Sequence, residues 1–306
     1  MLTELTPSDP RFPKEVVAAA YAAGLSSPRE VEHRLAAAFA DILARPGSLV
    51  LGVVAFRIGR ELGVEKSVGI GLACGVEYVR TAFQVFDDLP VMDHTRTRHG
   101  ATCLHIRHGE RIATLAALAF LNRGRTLLWS AMQDGPYPDR LRRARGLIED
   151  CLGLDGWIGG RADDLGKWPE RQNLRQVFAV ARKKIPSMVR MSVMLPALIG
   201  DASEREIMLL DRLALLRGLA HQVAEDVEHA SRGMHGNRMP SGTWRPSFVA
   251  ACGESGAVTL FRRLERMADR VERMLPGGSL RWGSVRELRP LSPLELRALV
   301  PGSELI

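Results

Sequence analysis

Residues 77–110 read EYVRTAFQVFDDLPVMDHTRTRHGATCLHIRHGE, a long apolar helix that ends abruptly in acid. Asp87 and Asp88 directly follow Phe83, Val85 and Phe86, which argues against a solvated face for the pair. Two adjacent carboxylates at the end of a buried helix repel each other and lose hydration, a cost that a divalent cation between them offsets. The helix macrodipole disfavours carboxylates at that end as well, so the pair asks for a metal. Asp93 is a third candidate ligand. Six residues at about 100° each would carry it off the face of Asp87, but Pro90 removes an N–H and clashes with the carbonyl of Phe86. The helix is therefore expected to break there and fold Asp93 back.

Working outward, apolar residues recur at helical spacing through most of the 306 residues and β-branched alternation is scarce. This reads as one all-α domain over 1–306, with residues 1–13 loosely ordered and a proline-rich tail over 276–306. A first helix is expected after Pro13. Ser27-Pro28-Arg29-Glu30 has the pattern of a capping box opening a helix to about Arg45, which accounts for Glu30 without a metal role beside His33. Helices over about 49–62 and 67–89 follow, then one from Glu110 to about 132, and a basic helix over 245–274. Pro186 is expected to kink the helix that it enters.

The formal net charge is +7, with the arginines spread along many helices instead of forming one tract. That distribution argues against nucleic acid and for an anionic small substrate. Cys74, Cys103, Cys151 and Cys252 have no framework spacing and read as reduced thiols of a cytoplasmic protein. The opening MLTELTPSDPRFP has acid and proline where a signal peptide needs basic then apolar residues. No apolar run approaches the roughly 18 residues of a membrane span.

DDLPVMD followed by Arg98-His99-Gly100 resembles the first aspartate-rich motif of the trans-isoprenyl diphosphate synthases, the polyprenyl synthetase family, over roughly residues 30–260. The resemblance implies a helical bundle around a central apolar cavity, Mg²⁺ with three ions around a bound diphosphate, a prenyl diphosphate substrate and a homodimer. By the same resemblance Arg98 and His105 bind substrate, and Lys184 in KKIPSMVRMS grips the allylic diphosphate. QVAEDVEH, residues 222–229, is similar to the second acidic motif, with Glu225 and Asp226 as metal ligands and Gln222 toward substrate. His229 stands there for the last aspartate. GWIGGRADDL, residues 156–165, resembles a glycine-rich motif with Arg161 for Gln, and a direct role for Asp164 is the weaker reading beside close helix packing.

The departures matter as much. Ser48, Leu49 and Leu51 stand where the family carries the Lys and two Arg that hold isopentenyl diphosphate (IPP), and His99 also departs. A diphosphate needs several fixed donors, which an apolar trio does not supply. Arg80 either restores a cation at that site or pairs with Glu77 three residues back. Phe83, one turn before Asp87, either floors the substrate pocket or packs as a core aromatic. Three functions stay open: condensation of an allylic diphosphate with IPP, a diverged lyase using one prenyl diphosphate, and a weakly active partner subunit of a prenyl synthase. In the first two, Asp87, Asp88 and Lys184 carry the chemistry.

Overall fold

The computed structural model describes residues 12–25, 31–98, 100–133, 138–231, 244–277 and 282–290. The chain divides into two compact units, one of residues 1–144 with 195–201, the other of 145–194 with 202–306. The first contains α1 (Phe12–Ala23), α2 (His33–Leu43), α3 (Val50–Glu61), α4 (Lys66–Asp88), α5 (Leu104–His108) and α6 (Glu110–Ala131). A two-stranded hairpin, β1 (Thr97–Arg98) and β2 (Ala101–Thr102), is the strand pairing among its described residues. The register sets Thr97 opposite Thr102 and Arg98 opposite Ala101, with Gly100 at φ +77° in the turn.

The core of this unit is built on α4. Tyr78 stacks edge-on against Tyr21 of α1 (4.8 Å between centroids) and Phe120 of α6 (5.0 Å). Phe39 of α2 meets Phe120 at 6.0 Å. Buried hydroxyls need partners. Tyr78 donates to the Tyr21 carbonyl at 2.5 Å, and Tyr21 shares a 2.9 Å bond with Thr81. Gly75 makes the α4–α6 approach possible, since a Cβ there would lie 2.7 Å from Leu128 Cδ2.

The second unit contains α8 (Trp157–Asp164), α9 (Leu174–Ala181), α11 (Glu204–Ser231) and α12 (Phe248–Met274). Between its neighbours in sequence, α7 spans Pro138–Leu152 and α10 spans Ile185–Ile199. Arg217 of α11 has no exposed surface and is held by three carboxylates of α12, Glu265, Asp269 at 2.8 Å and Glu272 at 3.1 Å. Arg286 bonds Glu272 at 2.8 Å, and Arg289 reaches Glu265 at 3.3 Å.

Several sequence expectations are corrected here. α1 begins at Phe12, because Pro13 suits a first turn whose N–H groups need no helical acceptor. α2 begins at His33 under a different cap: Glu32 accepts the N–H groups of Arg34 and Leu35, each at 3.1 Å. The Ser27–Glu30 box lies outside the described residues. Pro186 does not kink a helix; α9 ends at Ala181 and Pro186 sits in the first turn of α10. The last helix starts at Phe248, not 245, with Gly253 at φ +72° interrupting it. Part of the expected tail is packed: Trp282 is buried just before a 3₁₀ stretch over Gly283–Leu288, Leu288 is buried at its end, and His221 Nε2 lies 3.1 Å from the Leu288 carbonyl oxygen.

Candidate active site

α4 ends at Asp88, and Leu89 breaks the helical ladder ahead of Pro90, as the sequence requires. The chain then folds back: the Asp93 N–H donates to the Asp87 carbonyl at 3.0 Å and the His94 N–H to Leu89 at 3.1 Å. Asp88 is buried and Asp87 and Asp93 are half-buried. The hairpin places Arg98 on Asp88, with Nε at 2.8 Å and Nη2 at 2.7 Å from the same oxygen, Oδ1. Burial opposes the Arg98 charge, and the Asp88 carboxylate outweighs it and holds the guanidinium above its ordinary pKa. Phe83 is 4% exposed, one turn before Asp87. His105 is buried, and neither ring nitrogen has a hydrogen-bond partner.

Among the described residues no three His, Cys, Asp or Glu side chains gather into a metal centre. The opening motif nevertheless fits Mg²⁺ by donor chemistry. That ion takes hard oxygen ligands and is commonly held by one or two carboxylates, with water and substrate phosphates filling the remaining positions. Asp87 and Asp88 are such donors, and Arg98 fixes Asp88 through one oxygen only.

The loop before α3 turns away from anion binding. Leu49, at φ +53°, is 1% exposed. Arg80 resolves its two readings in favour of Glu77: its Nε lies 2.5 Å from Glu77 Oε2, while Nη1 donates to Gln84 at 2.9 Å and Nη2 to the Pro46 carbonyl at 3.2 Å. Glu77, wholly buried, also accepts the Gly52 N–H at 2.7 Å.

In the second unit, α8 meets the turn between α9 and α10 in two ion-pair rungs. Lys183 bonds Asp163 at 2.9 Å and Lys184 bonds Asp164 at 2.8 Å. Gly160 permits this approach, since a Cβ there would lie 2.7 Å from Lys183 Cβ. Asp164, 1% exposed, also accepts Arg161 at 2.9 Å and Arg245 at 3.2 Å. Burial pushes its carboxyl up, but Lys184, Arg161 and Arg245 together hold it below its ordinary pKa. Gln172 fixes the Arg245 segment with both ends of its amide, donating to the Arg245 carbonyl at 2.6 Å and accepting the Ser247 N–H at 2.8 Å.

The second acidic motif does not fit a metal in this arrangement. Asp226 accepts Gln222 Nε2 at 3.0 Å through Oδ1 and the Phe248 N–H at 2.7 Å through Oδ2, so its carboxylate takes the first N–H of α12 beside the Ser247 cap. Burial pushes the Asp226 carboxyl up to about 6 against these bonds. Glu225, the next residue of the same helix, is exposed, and His229 is exposed too. The structure thus brings Lys184, Asp164, Gln222 and Asp226 around one recess but does not bring Glu225 to it. Sequence reasoning passed over Arg245 and read Asp164 mainly as part of a helix-packing motif; an acid four positions after the Gly159-Gly160 pair was the available signal for Asp164, and Arg245 had none.

The fold is shared with solved isoprenyl synthases. A geranyltransferase from Helicobacter pylori superposes with a TM-score of 0.77 at 19% identity, covering 92% of this chain and 98% of that one. A second structure from H. pylori, described as complexed with magnesium and isoprenyl diphosphate, gives 0.72, also at 19% identity, over 93% of this chain and 98% of that one. In sequence, a geranylgeranyl diphosphate synthase of Pantoea ananas is 28% identical over 184 residues, 60% of each chain. A farnesyl diphosphate synthase of Geobacillus stearothermophilus is 30% identical over 195 residues, 63% of this chain and 65% of that one. The match therefore spans less than two thirds of each of these two relatives' length. The family model for polyprenyl synthetase matches residues 32–232, about two thirds of the chain, and the protein belongs to that family.

Proposed function

We propose that this chain is a prenyltransferase-family enzyme that ionises an allylic prenyl diphosphate with Mg²⁺ held at Asp87 and Asp88. The observation that carries the reading is the end of α4: two adjacent carboxylates beyond an apolar helix, the chain folded back by the Asp93–Asp87 bond, and Arg98 fixed on Asp88. Mg²⁺, when bound, would stabilise the negative charge that gathers on the departing diphosphate. In ionisation the bond between the allylic carbon and the diphosphate oxygen breaks and the electron pair leaves with oxygen. Arg98 orients Asp88, and Lys184 contributes a cation that its family counterpart directs to the allylic diphosphate. Leu115, Leu118 and Trp129 are exposed on one face of α6, which supports assembly with a second copy.

The relatives' names support condensation with IPP as the next step. A second reading, consumption of a single prenyl diphosphate, is favoured by the buried Leu49 and by Arg80, which is committed to Glu77, Gln84 and Pro46. Incubation with Mg²⁺ and geranyl, farnesyl or geranylgeranyl diphosphate, each with and without IPP, separates the two by product analysis. Longer diphosphates formed only with IPP support condensation, and hydrocarbon or alcohol products formed without it support the second reading. No turnover under any condition overturns the enzyme reading and points to a partner subunit. Phe83 is proposed to limit the substrate to about ten to fifteen carbons, because one turn of α4 is roughly 5.4 Å, close to one isoprene unit. Phe83→Ala then shifts the length profile upward; an unshifted profile with retained activity assigns Phe83 to the core.

A further inference from the structure

We infer that the exposed arginine stripe of α12 is a docking surface for an anionic lipid membrane, a property separate from the proposed catalysis and independent of it. Arg262, Arg263, Arg266, Arg270 and Arg273 are all exposed on this helix. At about 100° per residue the helix carries three stripes, and these arginines fall within about 100° of one another on one of them. Ala257, Phe261, Leu264, Ala268 and Val271 make the buried apolar stripe. Glu265, Asp269 and Glu272 make an acidic stripe between the apolar and the basic ones.

The acidic stripe is already occupied. Arg217 takes all three carboxylates from α11, while Arg286 adds a bond to Glu272 and Arg289 adds bonds to Glu265 and Asp269. On an ordinary solvated helix Asp269 would pair with Arg266 or Arg273, one turn away. Here it is used elsewhere, and none of the five stripe arginines makes a hydrogen bond or ion pair with a described residue. Arg262 with Arg266, and Arg266 with Arg270, are like charges at i,i+4, which destabilises a helix unless a counter-charge is supplied. Charge complementarity therefore calls for a polyanion laid along a stripe about 16 Å long.

The chemistry of the stripe selects the polyanion. The aromatic residues of α12, Phe248 and Phe261, are both buried, so the stripe offers no ring for stacking bases or for anchoring in a partner protein's pocket. Met267 and Met274 border it on the side away from the acids, and Met274 is 49% exposed. These flexible apolar side chains suit a headgroup layer, which needs no shape complementarity. A set of 4–8 basic residues on one helix face is the pattern that anionic headgroups attract. The apolar stripe of α12 is committed to the core, so attachment is electrostatic and salt-sensitive, without insertion of the helix.

The test is co-sedimentation with vesicles of equal parts phosphatidylglycerol and phosphatidylcholine, or of phosphatidylcholine alone, at about 0.05 M and about 0.5 M salt. Wild type is expected to sediment with the anionic vesicles at low salt only. The triple variant Arg262→Gln/Arg266→Gln/Arg270→Gln should partition about a hundredfold more weakly, at about fivefold for each arginine removed from an anionic surface. Arg175→Gln/Arg205→Gln/Arg212→Gln removes the same charge from exposed positions of the same unit off the stripe, and should change partitioning by less than about threefold. Thermal unfolding of the α12 variant should be unchanged or raised, because like-charge pairs are relieved. Equal losses in the two triple variants, salt-independent binding, or no binding by wild type overturns the inference. Tighter binding of a DNA duplex or of polyglutamate than of the anionic vesicles, lost in the α12 variant, also overturns it and assigns the stripe to nucleic acid or to an acidic protein. Should the α12 variant unfold, the wild-type comparison across vesicles and salts still decides.

Discussion

The two acidic motifs have different fates because one lies at a helix end and the other inside a helix. At the end of α4 the backbone leaves the helical ladder, so Asp87 and Asp88 keep company with Asp93 and with the Arg98 hairpin. Inside α11, consecutive side chains are about 100° apart. Asp226 is accordingly buried and satisfied by Gln222 and the Phe248 N–H, while Glu225 faces outward. Whether an acidic pair can hold a cation is thus decided less by its spelling than by which donors have already reached it.

Removing the first motif's charge should separate the two motifs most strongly. Asp87→Asn with Asp88→Asn should lower Mg²⁺-dependent turnover by about a thousandfold, since a metal's transition-state contribution is several kcal/mol and each 1.36 kcal/mol is tenfold. Steady-state kinetics beside a circular dichroism spectrum checks this; retained turnover would remove the metal from Asp87 and Asp88.

Next in size is stability, which the two ion-pair rungs of α8 separate. Asp164→Ala removes the buried carboxylate that Lys184, Arg161 and Arg245 share and should destabilise by about 3–5 kcal/mol in urea unfolding. Asp163→Ala, at a rung whose carboxylate is 47% exposed, should cost about 1 kcal/mol or less. Similar losses at both would mean that the cations around Asp164 find other partners.

The smallest effect is the pH response of Asp226. Its folded-state pKa is raised from 3.8 to about 6, so the folded chain keeps a proton that the unfolded chain releases. That contribution is complete below about pH 4 and lost as pH rises through about 6. Wild type should therefore lose stability relative to Asp226→Asn between about pH 4 and 6, read from urea midpoints at fixed salt. A difference that stays flat across the window would place the carboxyl in a more polar setting.

The parts of this molecule legible in the sequence are those governed by local rules. Pro90 fixed the end of α4, helical periodicity gave α3, α4 and α6 to within two residues, and the family resemblance was carried by DDLPVMD and GWIGGRADDL. What escaped depends on partners distant in the chain. Asp226 reads as a metal ligand until the Phe248 N–H, 22 residues on, takes one of its oxygens. The ion pair that Lys184 makes escaped because its partner, Asp164, lies 20 residues earlier. Arg217 gave no signal at all, because its three carboxylates belong to α12. Arg80 was left between two partners, and only burial of Glu77 beside it decided the matter.

The first acidic motif is proposed to hold the metal and the second not to. The most direct measurement of this is thermal stabilisation by Mg²⁺ plus pyrophosphate, over pyrophosphate alone, in wild type, in the Asp87→Asn/Asp88→Asn double variant and in Asp226→Asn. The account predicts that the Mg²⁺ increment disappears in the double variant and persists in Asp226→Asn. An increment lost in Asp226→Asn, or kept in the double variant, would contradict it.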